Sequence, residues 1–189
     1  MRISADERSF NTFGSSLLIA AIALGSNLRS CWGEPANALG EAIRRLGDLG
    51  VVAAVSRFRE TEPVGILDQP RFTNAAVLLQ TSLLPLGLMR ALLALEASLG
   101  RVRSADTPPK GPRVIDLDLL LYGADLEASV VLDSPELILP HPAMHDRLFV
   151  LEPLAEIAPD LRHPVKGLTV LQMMHELQAR EQANSQMPQ

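Results

Sequence analysis

The chain has little of several things, and each shortage excludes a class. There is one cysteine, Cys31, in 189 residues, so no internal disulfide framework can hold the fold and a reducing, cytoplasmic setting is expected. Basic residues are not in excess: 17 Lys and Arg stand against 22 Asp and Glu, a formal charge of -5, which argues against a general nucleic-acid binder. A local arginine cluster can still override that balance for a small anionic ligand. No apolar run is long enough for a bilayer, which takes about 20 residues. The longest candidate, Leu17 to Leu24, follows Asp6 and Glu7, a poor introduction for a secretory signal. It reads instead as a strand buried on both faces. A 47% hydrophobic composition is enough to build a sizeable core.

Punctuation and periodicity divide the rest. Residues 1–16 read as a polar N-terminal extension, 17–182 as one domain and 183–189 as a disordered tail. The first strand, 17–24, ends at Gly25-Ser26-Asn27. A helix follows over 35–47, with Pro35 in its first turn and Ala38, Leu39, Ala42, Ile43 and Leu46 at helical spacing. Strands are predicted over 51–58 and 73–81, separated by a Pro- and Gly-bearing loop over 62–71. Leu88, Leu92, Leu95 and Leu99 stripe a second helix over 85–99, capped at Gly100. A strand over 114–122 completes the order strand, helix, strand, strand, helix, strand. That order predicts an α+β fold, the ferredoxin-like split βαβ: an antiparallel sheet with helices packed on one face. A Pro-rich segment over 134–142 and C-terminal helical segments, one over 169–179, are added to it.

The strongest chemical signal is Arg113-Val114-Ile115-Asp116-Leu117-Asp118. Side chains alternate along a strand, so Asp116 and Asp118 share one face while Ile115, Leu117 and Leu119 take the other. Adjacent carboxylates repel, and a cation between them relieves the repulsion. Oxygen ligands without nearby Cys or His suit Mg²⁺. An amphipathic strand with a solvated acidic face carries the same pattern. The flanks favour the metal: Arg101, Arg103, Lys110 and Arg113 surround the pair, and guanidinium forks match phosphate oxygens. Without a ligand the same set is a salt-bridge patch. Glu96, in the last turn of a helix, fits either a ligand contact or a solvated position. His141 sits between Pro140 and Pro142, with no metal-ligand spacing to the other histidines. Arg147 beside Phe149, and Phe72 near Asn74, offer cations, flat walls and an amide for a heterocycle edge; core packing explains the phenylalanines equally well.

Six runs in order, Ala23 to Leu28, Thr61 to Gly65, Gln69 to Ala76, Leu95 to Arg103, Gly111 to Asp118, and Pro140 to Leu154, resemble the 6-hydroxymethyl-7,8-dihydropterin pyrophosphokinase family. The resemblance covers most of the chain. It implies transfer of the diphosphate of ATP to a pterin alcohol in folate biosynthesis, by a monomeric enzyme with two Mg²⁺ ions and no nucleic-acid or membrane partner. It further implies that Asp116 and Asp118 bind the metals and that Arg101 and Arg113 act on the transferring group. Glu96, Arg103, Lys110, His141 and Arg147 would hold ATP, and Thr61, Val64, Phe72, Asn74 and Phe149 the pterin. The chain departs from the family at 104–110, which carries Pro108 and Pro109 where an arginine or lysine beside an aromatic is usual. A non-catalytic pterin- or nucleotide-binding relative is the alternative, and an unrelated metal-dependent transferase sharing only the Asp-x-Asp strand a third.

Overall fold

The computed structural model describes residues 18–103, 111–124 and 129–185. The N-terminal extension, the segment 104–110 with Lys110, and residues 186–189 of the expected tail lie outside them. In chain order come β1 (Leu18–Ser26), α1 (Pro35–Leu46), β2 (Val51–Val55), β3 (Arg59–Thr61), β4 (Phe72–Thr81), α2 (Pro85–Ser98) and β5 (Asp116–Gly123). A short hairpin, β6 (Leu132–Asp133) and β7 (Ile138–Leu139), precedes α3 (Leu148–Ile157) and α4 (Val170–Ser185). The main sheet runs β2-β4-β1-β5, with β3 also on β4, and every neighbouring pair is antiparallel. β4 thus fills the gap between β1 and β2, the two strands that α1 joins. This is the expected split βαβ arrangement.

The sheet is covered on both sides. Ala20, Ile22 and Leu24 of β1 pack with Leu39, Ala42 and Leu46 of α1 and with Leu88, Leu92 and Leu95 of α2. Ala21 and Ala23 face the opposite way, into a second cluster with Val150, Leu151 and Leu154 of α3 and Val170, Met173 and Leu177 of α4. The C-terminal helices therefore form a third layer, where the sequence reading has helices on one face and the rest merely added. Small residues on this second face let α3 lie close to the strands. Among the described residues no helix is long and apolar enough to cross a membrane.

Local differences have local causes. The strand expected over 51–58 stops at Val55 and resumes at Arg59. Between them Ser56 is buried: its N–H donates to the Ala76 carbonyl and its hydroxyl accepts the Ala76 N–H, both at 2.9 Å. α4 continues to Ser185, so residues 183–185, read as tail, are helical; Ala, Arg, Glu and Gln in its last turns all favour helix. In β5 a bulge leaves Leu120 without a partner, since Ala21 pairs with Leu121 and Ile22 with Leu119. The freed Leu120 carbonyl accepts the His141 N–H at 2.8 Å, which anchors the Pro140-His141-Pro142 segment beside the acidic strand.

Candidate active site

Strand register assembles the site. Arg59, Asn74, Gly25 and Asp116 form one row across β3, β4, β1 and β5, and Ala76, Ala23 and Asp118 belong to the same face. Gly25 has no side chain to fill the space between Asn74 and Asp116. A Cβ there would stand 3.1 Å from Asn74 Oδ1. The row therefore has an open floor, and above it lies a cavity of about 560 Å³ between the sheet and α3. Asp116 and Asp118 both line it, while Ile115, Leu117 and Leu119 are buried in the first cluster, as their alternation requires.

Two half-buried phenylalanines serve as walls. Phe72, the first residue of β4, has the Arg113 guanidinium 5.2 Å from its ring centre. Phe149, in the first turn of α3, has the Arg147 guanidinium 5.8 Å from its own. Asn74 donates from Nδ2 to Thr61 Oγ1 at 2.7 Å, so its side-chain oxygen faces the floor beside Gly25. Val64 also lines this end of the cavity.

The charged end is a connected network. Asp116 accepts from Arg101 through one oxygen and from Arg113 Nη1, at 2.7 Å, through the other. Arg101 also donates to Glu96 at 2.7 Å and to the Ile115 carbonyl at 3.0 Å. Burial opposes the Arg101 charge, but the carboxylates of Asp116, Glu96 and Asp118 outweigh it and hold the group above its ordinary pKa. Asp118 is less well compensated, with Arg147 at 4.0 Å. Burial, then the Asp116 charge, pushes its carboxyl above the usual range, against the pull of His141, Arg147 and Arg113. His141 is held below its ordinary value, by burial first, with Asp118 pulling the other way. Its Nδ1 accepts the Ala143 N–H at 3.2 Å, which puts the proton of the neutral ring on Nε2.

Glu96, expected at the nucleotide, is turned to protein instead. It is 1% exposed and its oxygens accept from Arg101, from Arg103 at 2.6 Å and from the Leu117 N–H at 2.8 Å. A buried carboxylate that accepts three bonds from its own chain is a support for the arginines. Arg103 stays more than half exposed. Sequence reasoning left Asn27 without a role. It is 2% exposed, and its Nδ2 donates to Gln69 Oε1 and the Pro70 carbonyl, both at 3.0 Å, while its Oδ1 accepts the Arg113 N–H at 2.8 Å. It ties the end of β1 to the loop over 62–71 and to the segment carrying Arg113. The amide directly after Gly25-Ser26 was the available signal. Among the described residues no three His, Cys, Asp or Glu side chains gather as a metal cage; the acidic pair stands alone.

Comparison with known proteins agrees with this geometry. Residues 21–159 match the family described as 7,8-dihydro-6-hydroxymethylpterin-pyrophosphokinase (HPPK). A 2-amino-4-hydroxy-6-hydroxymethyldihydropteridine pyrophosphokinase of Pseudomonas aeruginosa is 47% identical over 143 residues, covering 76% of this chain and 82% of that protein. One from Methylorubrum extorquens is 42% identical over 160 residues, 84% of this chain and 92% of its own. The crystal structure of wild-type Plasmodium falciparum HPPK-DHPS superposes with a TM-score of 0.66 at 15% identity. It covers 92% of this chain, which spans 47% of that longer one, and it shows a shared fold. With the matched region holding both walls, the arginines and the acidic pair, the chain belongs to the 7,8-dihydro-6-hydroxymethylpterin-pyrophosphokinase family.

Proposed function

We propose that this chain, a pyrophosphokinase of folate biosynthesis, works in the cavity between Phe72 and Phe149. It transfers the diphosphate of ATP to the hydroxymethyl group of 6-hydroxymethyl-7,8-dihydropterin. The observation that carries the reading is the meeting, in one cavity, of two aromatic walls with an acidic pair ringed by arginines. The pterin ring lies between Phe72 and Phe149, with Asn74, Thr61 and Val64 along its edge and face. Its hydroxyl oxygen bonds the β-phosphorus of ATP as the bond to the α–β bridging oxygen breaks; the hydroxyl proton passes to water, and AMP leaves with the bridging oxygen. Such a transfer needs position and charge compensation more than covalent help. Arg101 and Arg113 supply that charge beside Asp116, and Arg103, Lys110, Arg147 and His141 hold the nucleotide. Glu96 fixes the arginines.

Asp116 and Asp118 fit the magnesium that the family implies. They are oxygen ligands only, they share one wall, and the second is left unfavourably charged by burial and by its neighbour. Mg²⁺ usually takes one or two carboxylates and completes its shell with water and substrate phosphates, so a site without a third protein ligand suits it. When bound, two such ions neutralise phosphate charge and polarise the phosphoryl oxygens. We read the enzyme as a monomer working in the cytoplasm on two small substrates. The test is release of AMP from ATP, Mg²⁺ and the pterin alcohol: AMP equal to the pterin diphosphate formed is expected. Binding of both substrates without AMP would leave only the non-catalytic relative.

A further inference from the structure

Outside the charged network, a second set of ion pairs joins β3, which carries the edge residue Thr61, to α3, which carries the Phe149 wall. Arg59 and Thr61 lie two apart on β3 and so on one face. Phe149, Glu152 and Glu156 lie three and four apart on α3, along one stripe. Arg59 Nη2 donates to Glu156 Oε2 at 3.2 Å and its Nη1 stands 3.7 Å from Glu152 Oε2. Its fork thus bridges one full turn of the helix. Arg57 reinforces the same carboxylate, with Nε at 3.0 Å and its N–H at 3.2 Å from Glu156 Oε1. Glu152 itself lines the cavity and accepts from Gln178 of α4 at 3.4 Å. On each element the tie sits next to a pocket residue: Arg59 is two residues before Thr61 at the edge, and Glu152 is one turn after the Phe149 wall.

We infer that Arg59 is a positioning residue for the pterin: it straps β3 to α3 and fixes the separation of the Thr61–Asn74 edge from the Phe149 wall. The inference rests on the pterin site proposed above. The apolar cluster beneath α3 supplies most of the attachment of the helix, but apolar contact is non-directional and tolerates sliding. A planar fork on two carboxylates sets both distance and rotation. The pairs are partly open, with side-chain exposures of 36% for Arg59, 32% for Glu152 and 24% for Glu156, so salt can screen them. The pterin is uncharged at neutral pH, and its own binding has no direct charge–charge contribution to screen. A salt-dependent pterin affinity would therefore report the strap.

The experiment titrates the pterin into wild type, Arg59→Ala, Arg59→Lys and Glu156→Gln, each saturated with Mg²⁺ and a non-hydrolysable ATP analogue at low and moderate salt. Wild type should bind the pterin a few-fold more weakly at the higher salt. Arg59→Ala should start about three- to tenfold weaker, a range set by two half-exposed ion pairs, and respond little to salt. Its affinity for the nucleotide analogue should be unchanged, with Arg59→Lys intermediate and Glu156→Gln resembling Arg59→Ala. Pterin affinity in Arg59→Ala equal to wild type, or an equal loss for pterin and nucleotide, overturns the strap. Phe149→Ala is the control for the site: if it binds the pterin as wild type does, the placement of the pterin fails and the strap with it. If Phe149→Ala is weak and Arg59→Ala is not, only the strap fails.

Discussion

Replacing Glu96 with glutamine tests whether the arginines at the reacting end are held by a buried carboxylate. The side chain is 1% exposed and Arg101 13%, so water cannot replace what is lost. Removing one partner of a buried pair costs about 3–5 kcal/mol. Glutamine keeps an oxygen for the Leu117 N–H, returning about 1 kcal/mol, while the Arg103 bond, made by a half-exposed group, contributes under about 1 kcal/mol. The expected loss is about 3 kcal/mol. For a chain of this size that lowers the melting temperature by roughly 10 °C. Burial pushes the Glu96 carboxyl above its usual range, against Arg103, the Leu117 N–H and Arg101. We expect those donors to keep it ionised at neutral pH, and a glutamine amide would then point N–H groups at guanidinium N–H groups. Leu117 and Arg101 share Glu96 Oε1, so the retained oxygen keeps both bonds as neutral ones while the amide faces Arg103. Arg101 loses the charge of its second carboxylate, so kcat should fall while the KM for the pterin stays near wild type. Thermal melts beside steady-state kinetics read both effects. A melting shift below about 2 °C with full turnover would mean that Glu96 is protonated or dispensable, and the support role would be wrong.

Three further outcomes are expected. Asp118→Asn should abolish turnover without lowering the stability of the metal-free protein, because burial and the Asp116 charge already oppose the carboxylate; urea midpoints and AMP release measure the two, and retained turnover would remove Asp118 from the metal site. Arg113→Ala should lower kcat by about 10²-fold or more, the usual effect of deleting one preorganised charge donor, while pterin affinity falls only a few-fold through the lost contact with Phe72; an effect confined to the pterin dissociation constant would contradict the assignment. His163 is 5% exposed, and its Nδ1 accepts N–H groups from Val165 at 3.3 Å and Lys166 at 3.2 Å. Burial, His145 and Lys166 hold its pKa below the ordinary 6.5, so the unfolded chain takes up the proton first. Its contribution is complete above about pH 6.5 and is lost as the pH falls from there towards the folded value. The stability gap between wild type and His163→Asn should shrink between neutral pH and mildly acidic pH, and a constant gap would show that His163 does not titrate with folding.

Much of the fold and the site was readable from the chain because both follow from short periodicities. Alternation alone puts Asp116 and Asp118 on one face and Leu117 in the core, and the order of elements leaves β4 between β1 and β2. The β1 run also demanded cover on both faces, which a single helical layer cannot give, yet α3 escaped notice. Its sequence, LFVLEPLAEI, is apolar on most sides and contains Pro153, so it shows neither an amphipathic period nor an uninterrupted helical pattern. The surroundings of Glu96 and Asn27 were not legible for another reason. Their roles depend on burial and on partners 21 and 86 residues away in the chain, and residue type does not report either. Lys110 lies outside the described residues.

The ion pairs at the reacting end explain how so much charge can sit in one cavity of a chain with a net negative balance. Arg101 and Arg113 rest on Asp116, Arg103 rests on Glu96, and Arg147 stands near Asp118. Each charge is thus partly compensated before any ligand arrives, and the network has no large surplus of either sign. A magnesium nucleotide carries both signs itself: its metal ions suit the carboxylates and its phosphates suit the guanidinium groups. Binding can then proceed as an exchange of partners within the cavity, where bare arginines or bare aspartates alone would bear the full cost of desolvation. Under this view Asp116 is a ligand and also the placeholder that keeps Arg101 and Arg113 aimed at the phosphates. Asp118, held among the described residues by Arg147 at 4.0 Å, is the carboxylate with most to gain from a metal.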